Sequence, residues 1–196
     1  MNNPIYISLG CDCSVAYQLQ KLNLRSSSFP FDWIRINHNN LINILNNNFQ
    51  FFTDIQYLNK IKIDKENKFP YLEEDWTDNI LTENMIVHHD FLNIKFYHDF
   101  QNDDNLNNFY DQKINFQIKY NRRIQRFRKV CKDSSIKKIF VRIIKNSEEK
   151  EKLNKVLEKY CQNNNFELKT IIIDKNQKFA SWKKDELDWD HFFIHD

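Results

Sequence analysis

One glycine and three prolines in 196 residues leave this chain few places for tight turns that need a positive φ. Asparagine tolerates the left-handed region next best and is expected to take over part of that work. A surplus of one charge is missing too. The 29 basic and 27 acidic residues give a net charge of +2, so no global field points to nucleic acid or a membrane surface as partner. No segment approaches the ~18 consecutive apolar residues of a membrane span, and the opening MNNPIYISLG lacks a charged region followed by an apolar stretch. The protein is therefore expected to stay in the cytoplasm where it is made, a host cytoplasm if the source is viral. The four cysteines, at 11, 13, 131 and 161, contain no paired CxxC. That spacing argues against a zinc ribbon and a small disulfide scaffold, so reduced thiols, no metal centre and no cofactor are expected.

What is present is a core-forming composition. A hydrophobic fraction of 41% with 17 Phe, 8 Tyr and 4 Trp can offset the conformational entropy of folding. The length fits one domain, residues 1–196, and would cramp two. No internal repeat or composition break divides it.

Pro4 to Leu9 reads as a short buried strand that ends at Gly10, and Ser14 to Leu22 as a helix with Val15, Leu19 and Leu22 on one face. Asp12 or Ser14 is its expected N-cap, which puts Cys13 in or beside the first turn. RSSSFPFDW follows as a packed loop. His38 to Phe49 has helical spacing, and the polar stretch from Thr53 to Thr82 is taken as a flap. Asn84 to His89 and Asn93 to Tyr97 form a predicted hairpin whose second strand leads into His98 and Asp99. Leu106 to Val130 is a long helix ending in Arg122, Arg123, Arg126 and Arg128. Ile136 to Ile144, a helix capped by Ser147, and Leu168 to Ile173 make a parallel βαβ unit, with a right-handed crossover expected. The tail from Trp182 to Phe193 is an amphipathic helix or turn that docks two Trp and two Phe. The fold class is α/β: a three-layer domain with a mixed, partly parallel sheet.

The densest chemistry lies in the first 33 residues. At a helix start, unpaired N–H groups and the macrodipole favour a thiolate, the position that nucleophilic cysteines use. From spacing alone, the commoner role for a cysteine such as Cys13 is that of a small buried hydrophobe. His98, at a strand end, is its best-placed proton acceptor, ahead of His88 and His89. Cys11 and Cys13 have the spacing of a redox pair or soft metal site, but no second ligand cluster accompanies them. Cys131 and Cys161 look structural. Asp32, set between Phe31 and Trp33, needs a donor such as a His, an Arg or the start of the Cys13 helix. It then orients a catalytic histidine or fastens the loop. Arg122, Arg123 and Arg126 lie on a solvated helix face or in a cleft that suits a carboxylate or phosphate. Arg142, inside the apolar run IFVRII, requires a strand end or a partner such as Asp32 or Asp99. Asp188 and His191 have the Asp-x-x-His spacing of flavodoxin-like serine esterases, with Cys13 in the place of their serine.

In chain order, SLGCDCSVAYQLQKLNLRSSSFPFDWI, FYHDF, KYNRRIQRF and IFVRI form a set that resembles a family of bacterial and viral proteins described as papain-like cysteine peptidases. The resemblance covers roughly residues 4 to 145 and continues weakly into the Trp-rich tail. It implies that the family's cysteine falls on Cys13 and not Cys11, that its histidine falls on His98, and that Asp32 and Asp99 occupy its acidic positions. Neighbours on a strand point to opposite faces, so Asp32 or an Asn on a later strand is an easier third member than Asp99. The resemblance also implies an alternative α+β papain-like fold, with the nucleophile helix against an antiparallel sheet, whereas the βαβ unit favours three-layer α/β.

Three functions follow. One is a thiol-dependent hydrolase acting on a peptide or other amide, with Cys13, His98 and Asp32 or Asp99 in the site and backbone N–H groups of the Cys13 helix as oxyanion donors. Another is a non-catalytic module in which Arg122, Arg123, Arg126 and Arg142 hold a phosphorylated or acidic ligand. The last is an esterase relative using Cys13 with Asp188 and His191. None requires nucleic acid or a membrane, and the sequence leaves the oligomeric state open.

Overall fold

A computed structural model of the chain describes residues 3–61, 85–101, 106–173, 177 and 179–194. The elements are β1 Ile5–Ser8, α1 Ser14–Lys21, β2 Ile34–Arg35, α2 His38–Asn46, β3 Leu58–Lys60, β4 Val87–His89, β5 Ile94–Phe96, α3 Leu106–Lys132, β6 Lys138–Ile144, α4 Ser147–Cys161, β7 Phe166–Ile172 and α5 Trp189–Ile194. Of the stretch from 53 to 82, residues 62–82 lie outside the described residues. The rest holds a 3-10 turn at Ile55–Tyr57 and β3, a strand that three residues of LNK gave no period to reveal. Among the described residues, no helix is long and apolar enough to cross a membrane.

The fold is α/β, with parallel and antiparallel strands in two separate sheets. One is parallel in the order β1-β6-β7, and the other antiparallel in the order β2-β5-β4-β3. One mixed sheet was the expectation. The division follows from strand length and connection: β2 to β5 are two to three residues long, and β4 and β5 turn back on each other through a tight turn, which enforces antiparallel pairing. β6 and β7 are joined by α4, and a helical crossover makes them parallel neighbours. Alternation along β6 gives the parallel sheet two apolar faces. Ile139, Val141 and Ile143 pack with Val15 and Leu19 of α1 and with Trp189 and Phe193 of α5. Phe140 faces the other way, toward Leu153 and Leu157 of α4 and Phe127 of α3. The same cluster continues through Phe52 and Phe116 to Phe96 of the antiparallel sheet, so α3 sits between the two sheets' shared apolar faces.

Asparagine does take on turn duty, with positive φ at Asn23, Asn48 and Asn93. Asn37 and Asn146 also act as N-caps of α2 and α4. Ser147 is thus the first helical residue and not the cap: Asn146 Oδ1 accepts from Glu149 N–H at 3.0 Å, and Glu149 Oε2 accepts from Lys145 N–H at 2.9 Å. The single glycine sits where no other residue fits easily. Gly10 has φ +74°, and a Cβ there would stand 2.9 Å from Ile36 Cγ2 and 3.3 Å from the Phe31 carbonyl.

Arg142 fixes this crossing point. It is 2% exposed, and it meets neither Asp32 nor Asp99. Its Nη1 donates to the Leu9 carbonyl and its Nη2 to the Ile36 carbonyl at 3.0 Å, while burial pulls its pKa below the ordinary guanidinium value. The two carbonyls end β1 and follow β2, so one buried side chain joins the parallel sheet to the start of the antiparallel one. Arg142→Met leaves both carbonyls without a donor and should lower the unfolding free energy by about 3 kcal/mol. A urea titration reads this directly, and a loss well under about 1 kcal/mol would mean that water replaces the guanidinium.

Candidate active site around Cys13

Cys13 stands at the start of α1, but the local electrostatics differ from those of an activated thiolate. It is the N-cap residue and makes no side-chain capping bond. The cap comes from Asp12, whose Oδ1 accepts from the Ser14 N–H at 2.9 Å and from the Ser14 hydroxyl. One first-turn donor is therefore satisfied by a carboxylate next to the sulfur. Burial, then Asp12, then Asp99 push the Cys13 thiol well above its ordinary range, with Lys184 and Arg35 acting the other way. Against the expectation of a thiolate at a helix start, desolvation and two carboxylates here favour the protonated thiol.

His98 follows β5 in a bend and reaches the surface. Two indoles hold its ring: Trp33 edge-on at 5.4 Å and Trp182 at 6.1 Å. Trp182 in turn packs edge-on against Tyr17 at 5.3 Å, and Tyr17 lies one helical turn from Cys13, whose carbonyl accepts its N–H. A chain of rings thus connects His98 to the first turn of α1. Among the described residues, no hydrogen bond joins His98 to Cys13. Burial against the indoles lowers the imidazole pKa from its ordinary 6.5, with Asp99 opposing. Both shifts favour the uncharged forms, a thiol at Cys13 and a neutral imidazole at His98.

Neither candidate aspartate grips that imidazole. Asp99 is held by other partners: its Oδ2 accepts from Tyr120 Oη at 2.8 Å, and Lys119 pairs with its Oδ1. Asp32 is a loop fastener. Its Oδ2 accepts from Arg25 Nε at 3.0 Å, Arg25 Nη2 at 2.8 Å and Phe29 N–H at 2.8 Å. Of the donors considered, arginine is the one found, and Arg25 also lies over the Trp33 ring at 5.6 Å. Asp32 therefore reaches His98 only through Arg25 and Trp33.

The four arginines do not converge on a ligand. Arg122 is exposed, Arg123 covers the Tyr120 ring at 4.9 Å, Arg126 donates to the Ser28 carbonyl at 2.6 Å, and Arg142 is the buried pin described above. Successive helical positions point to different sides, and that separates Arg122 from Arg123. Asp188 and His191 cap a helix: Asp188 Oδ1 accepts the His191 backbone N–H at 3.0 Å at the start of α5. His89 is a core residue, with Nδ1 accepting from Leu92 N–H at 3.2 Å and Nε2 on the Phe51 carbonyl at 3.0 Å. His88 binds Asp90 and Asn93 at the surface. Cys11, at φ 93°, belongs to the crossing turn. Cys131 and Cys161 are buried against each other at the ends of α3 and α4. Among the described residues, no three His, Cys, Asp or Glu side chains gather as a metal site.

A cavity of about 390 Å³ opens beside His98 and runs along α3, past Gln112, Asn115 and Lys119, with Gln101 and Asn108 on its walls. Half of its lining residues are carboxamides, suited to the donors and acceptors of a main chain, and Asp99, Lys119 and Phe116 also line it. Trp33, Trp182, Lys184 and the cavity's amides are the site components that sequence reasoning missed. Trp33 had a signal, standing next to Asp32 in a packed aromatic loop. The others had none, because they meet the site only through the fold.

A cysteine at a helix start and a histidine just after a strand of the antiparallel sheet, linked by edge-on and tilted ring contacts, define an α/β protein with a thiol-centred candidate site. The chain belongs to the family described as "putative papain-like cysteine peptidase", whose model matches residues 4–178. An uncharacterized protein of Acanthamoeba polyphaga mimivirus is 32% identical over 231 aligned residues, spanning 100% of this chain and 99% of that relative. No solved structure matches the chain.

His38, His89 and His98 all have folded-state pKa values lowered from 6.5 by burial. Each favours the native state in its neutral form, so the contribution is intact above pH 6.5 and is lost as pH falls through the folded-state values. The urea midpoint should fall between pH 7.5 and pH 5.5, and less steeply in His89→Gln. A midpoint that holds or rises on acidification would contradict these burials.

Proposed function

We propose that the protein is a thiol-dependent hydrolase of the papain-like kind, acting on a peptide or other amide through Cys13 and His98. The observation that carries this reading is the ring chain from His98 through Trp182 and Tyr17 to the turn bearing Cys13. It ties the two residues that the family resemblance singled out into one structural unit. Burial favours the neutral thiol and the neutral imidazole, which leaves His98 unprotonated but opposes proton transfer from Cys13, so bound substrate has to offset that cost. Bound substrate brings the two side chains into line. Cys13 Sγ then attacks the acyl carbon as its proton passes to His98. His98 protonates the departing amine, and the acyl group remains on sulfur. A water gives its proton to His98 as it attacks the thioester, which releases the acid and restores the thiol. The amide-lined cavity next to His98 supports an extended, uncharged segment of substrate.

Acylation by p-nitrophenyl acetate, followed by peptide mass spectrometry, tests the pair. The acetyl group should be found on Cys13, absent in Cys13→Ser and reduced at least about a hundredfold in His98→Ala. Acylation of Cys11 in place of Cys13, or a rate indifferent to His98, would remove the proposal's foundation.

A further inference from the structure

We infer that the C-terminal segment from Trp182 to Trp189 is part of this site, with Trp182 positioning the His98 imidazole and Lys184 setting the charge beside Cys13. The inference rests on the reading of Cys13 and His98 as the reacting pair. The family match ends at residue 178, so these residues stand outside it.

The segment is built against α1 and does not trail from it. Gln18, fully buried, donates from Nε2 to the Lys183 carbonyl at 2.7 Å and to Asp185 Oδ1 at 2.9 Å. Lys21 pairs with the same Asp185 oxygen. On the far side, Trp189 Nε1 donates to the Lys184 carbonyl at 2.7 Å, and the Trp189 ring stacks on Phe193 in the core. Between these anchors Lys184 takes a left-handed φ of 51° and turns its ammonium inward to Asp12 Oδ2 at 2.8 Å.

The location of that ion pair is the informative part. Lys184 is 5% exposed, and burying an ammonium costs more than a surface tether requires. Lys21 and Asp185 already supply a surface tether. What the buried lysine adds is a positive charge against the carboxylate that precedes Cys13. The charged groups acting on Cys13 are Asp12 on its own turn, Asp99 after β5, Arg35 on β2 and Lys184 on the tail, with the Tyr97 hydroxyl nearby. Without Lys184, two carboxylates would face the thiol with Arg35 alone in opposition among the described residues, and the sulfur would be harder to ionise.

Trp182 acts on the other partner. Among the described residues, His98 has no carboxylate hydrogen-bonded to its ring, and two indoles pack against it. Trp33 is held by Arg25 and hence by Asp32, while Trp182 is held by Tyr17 and by the tail anchors. The two indoles come from opposite ends of the chain and meet at one imidazole.

The test uses the full-length protein and two readouts that need no turnover: the iodoacetamide alkylation rate of Cys13 against pH, and the NMR titration of the His98 ring. Lys184→Met should move the Cys13 profile upward by about one pH unit, making alkylation about tenfold slower on its rising limb. Lys183→Met, the same charge change one residue away, and Lys21→Met, which cuts only the surface tether, should each stay within about twofold. If Lys184→Met does not fold, Asp12→Asn carries the test with the opposite sign and should move the profile down. Trp182→Ala should raise the His98 titration toward 6.5, and Trp182→Phe should keep it depressed. A Cys13 profile indifferent to Lys184 and Asp12, equal shifts from Lys183→Met, or a His98 titration unmoved in Trp182→Ala would overturn the inference. If these shifts fail while the ester still acylates Cys13, only the tail's role is lost. If they appear while the ester leaves Cys13 unmodified, the tail shapes both groups and the hydrolase reading fails instead.

Discussion

The Arg142 guanidinium donates to the carbonyls of Leu9 and Ile36, and nearly everything else about the site inherits its position from that joint. Leu9 is the last residue before Gly10 and the turn that launches α1; Ile36 is the first residue after β2. Clamping the two together sets where the Cys13 helix starts relative to the antiparallel sheet that carries His98. The clamp leaves its Nε without a partner and holds a cation out of water, a cost that only well-placed acceptors offset. Gly10 is the matching constraint on the β1 side of the joint: a side chain there would run into Ile36. A charge in the middle of an apolar strand and a lone glycine are two halves of one crossing.

Around that joint the packing is aromatic. Phe31, Phe49, Phe52 and Phe127 meet one another within 5.3 to 6.3 Å, and Phe96, Phe116 and Tyr120 continue the cluster toward the second sheet. Rings of this size fill the space between α3 and both sheets with few residues, and edge-to-face contacts add modestly to their burial. Asp32 is permitted in this setting because Arg25 and the Phe29 N–H satisfy it. Burial still raises its pKa, so the pair serves mainly to fix loop geometry, as buried ion pairs often do better than they stabilise.

The electrostatics of the site follow from the same packing. Desolvation acts on both members in the direction of neutrality, keeping a proton on Cys13 and off His98. A resting thiol of this kind is protected from adventitious oxidation, since thiolate character governs that chemistry. The Lys184–Asp12 pair then becomes the main adjustable charge near the sulfur, and it is supplied by a part of the chain distant in sequence.

Much of the architecture was legible in the residues themselves. The periods of β1, α1, α3, β6, α4 and β7, the parallel βαβ unit and the hairpin of β4 and β5 are written in local apolar spacing, which depends only on neighbours in sequence. The placement of Cys13 at a helix start and of His98 after a strand is equally local. The partners of those residues are not. Nothing near Arg142 in sequence indicates that it bonds two carbonyls, one in β1's exit and one in β2's, and nothing in the tail announces Trp182 beside His98 or Lys184 beside Asp12. These contacts join positions separated by more than a hundred residues in three cases, Leu9 to Arg142, Ile36 to Arg142 and Asp12 to Lys184. The sequence by itself determined which elements form and where the reactive side chains sit along them, because periodicity and capping are short-range. Only the tertiary structure decided the burial of the thiol, the packing of two indoles on the imidazole and the pairing of Lys184 with Asp12. Burial and charge proximity are properties of the packed chain as a whole.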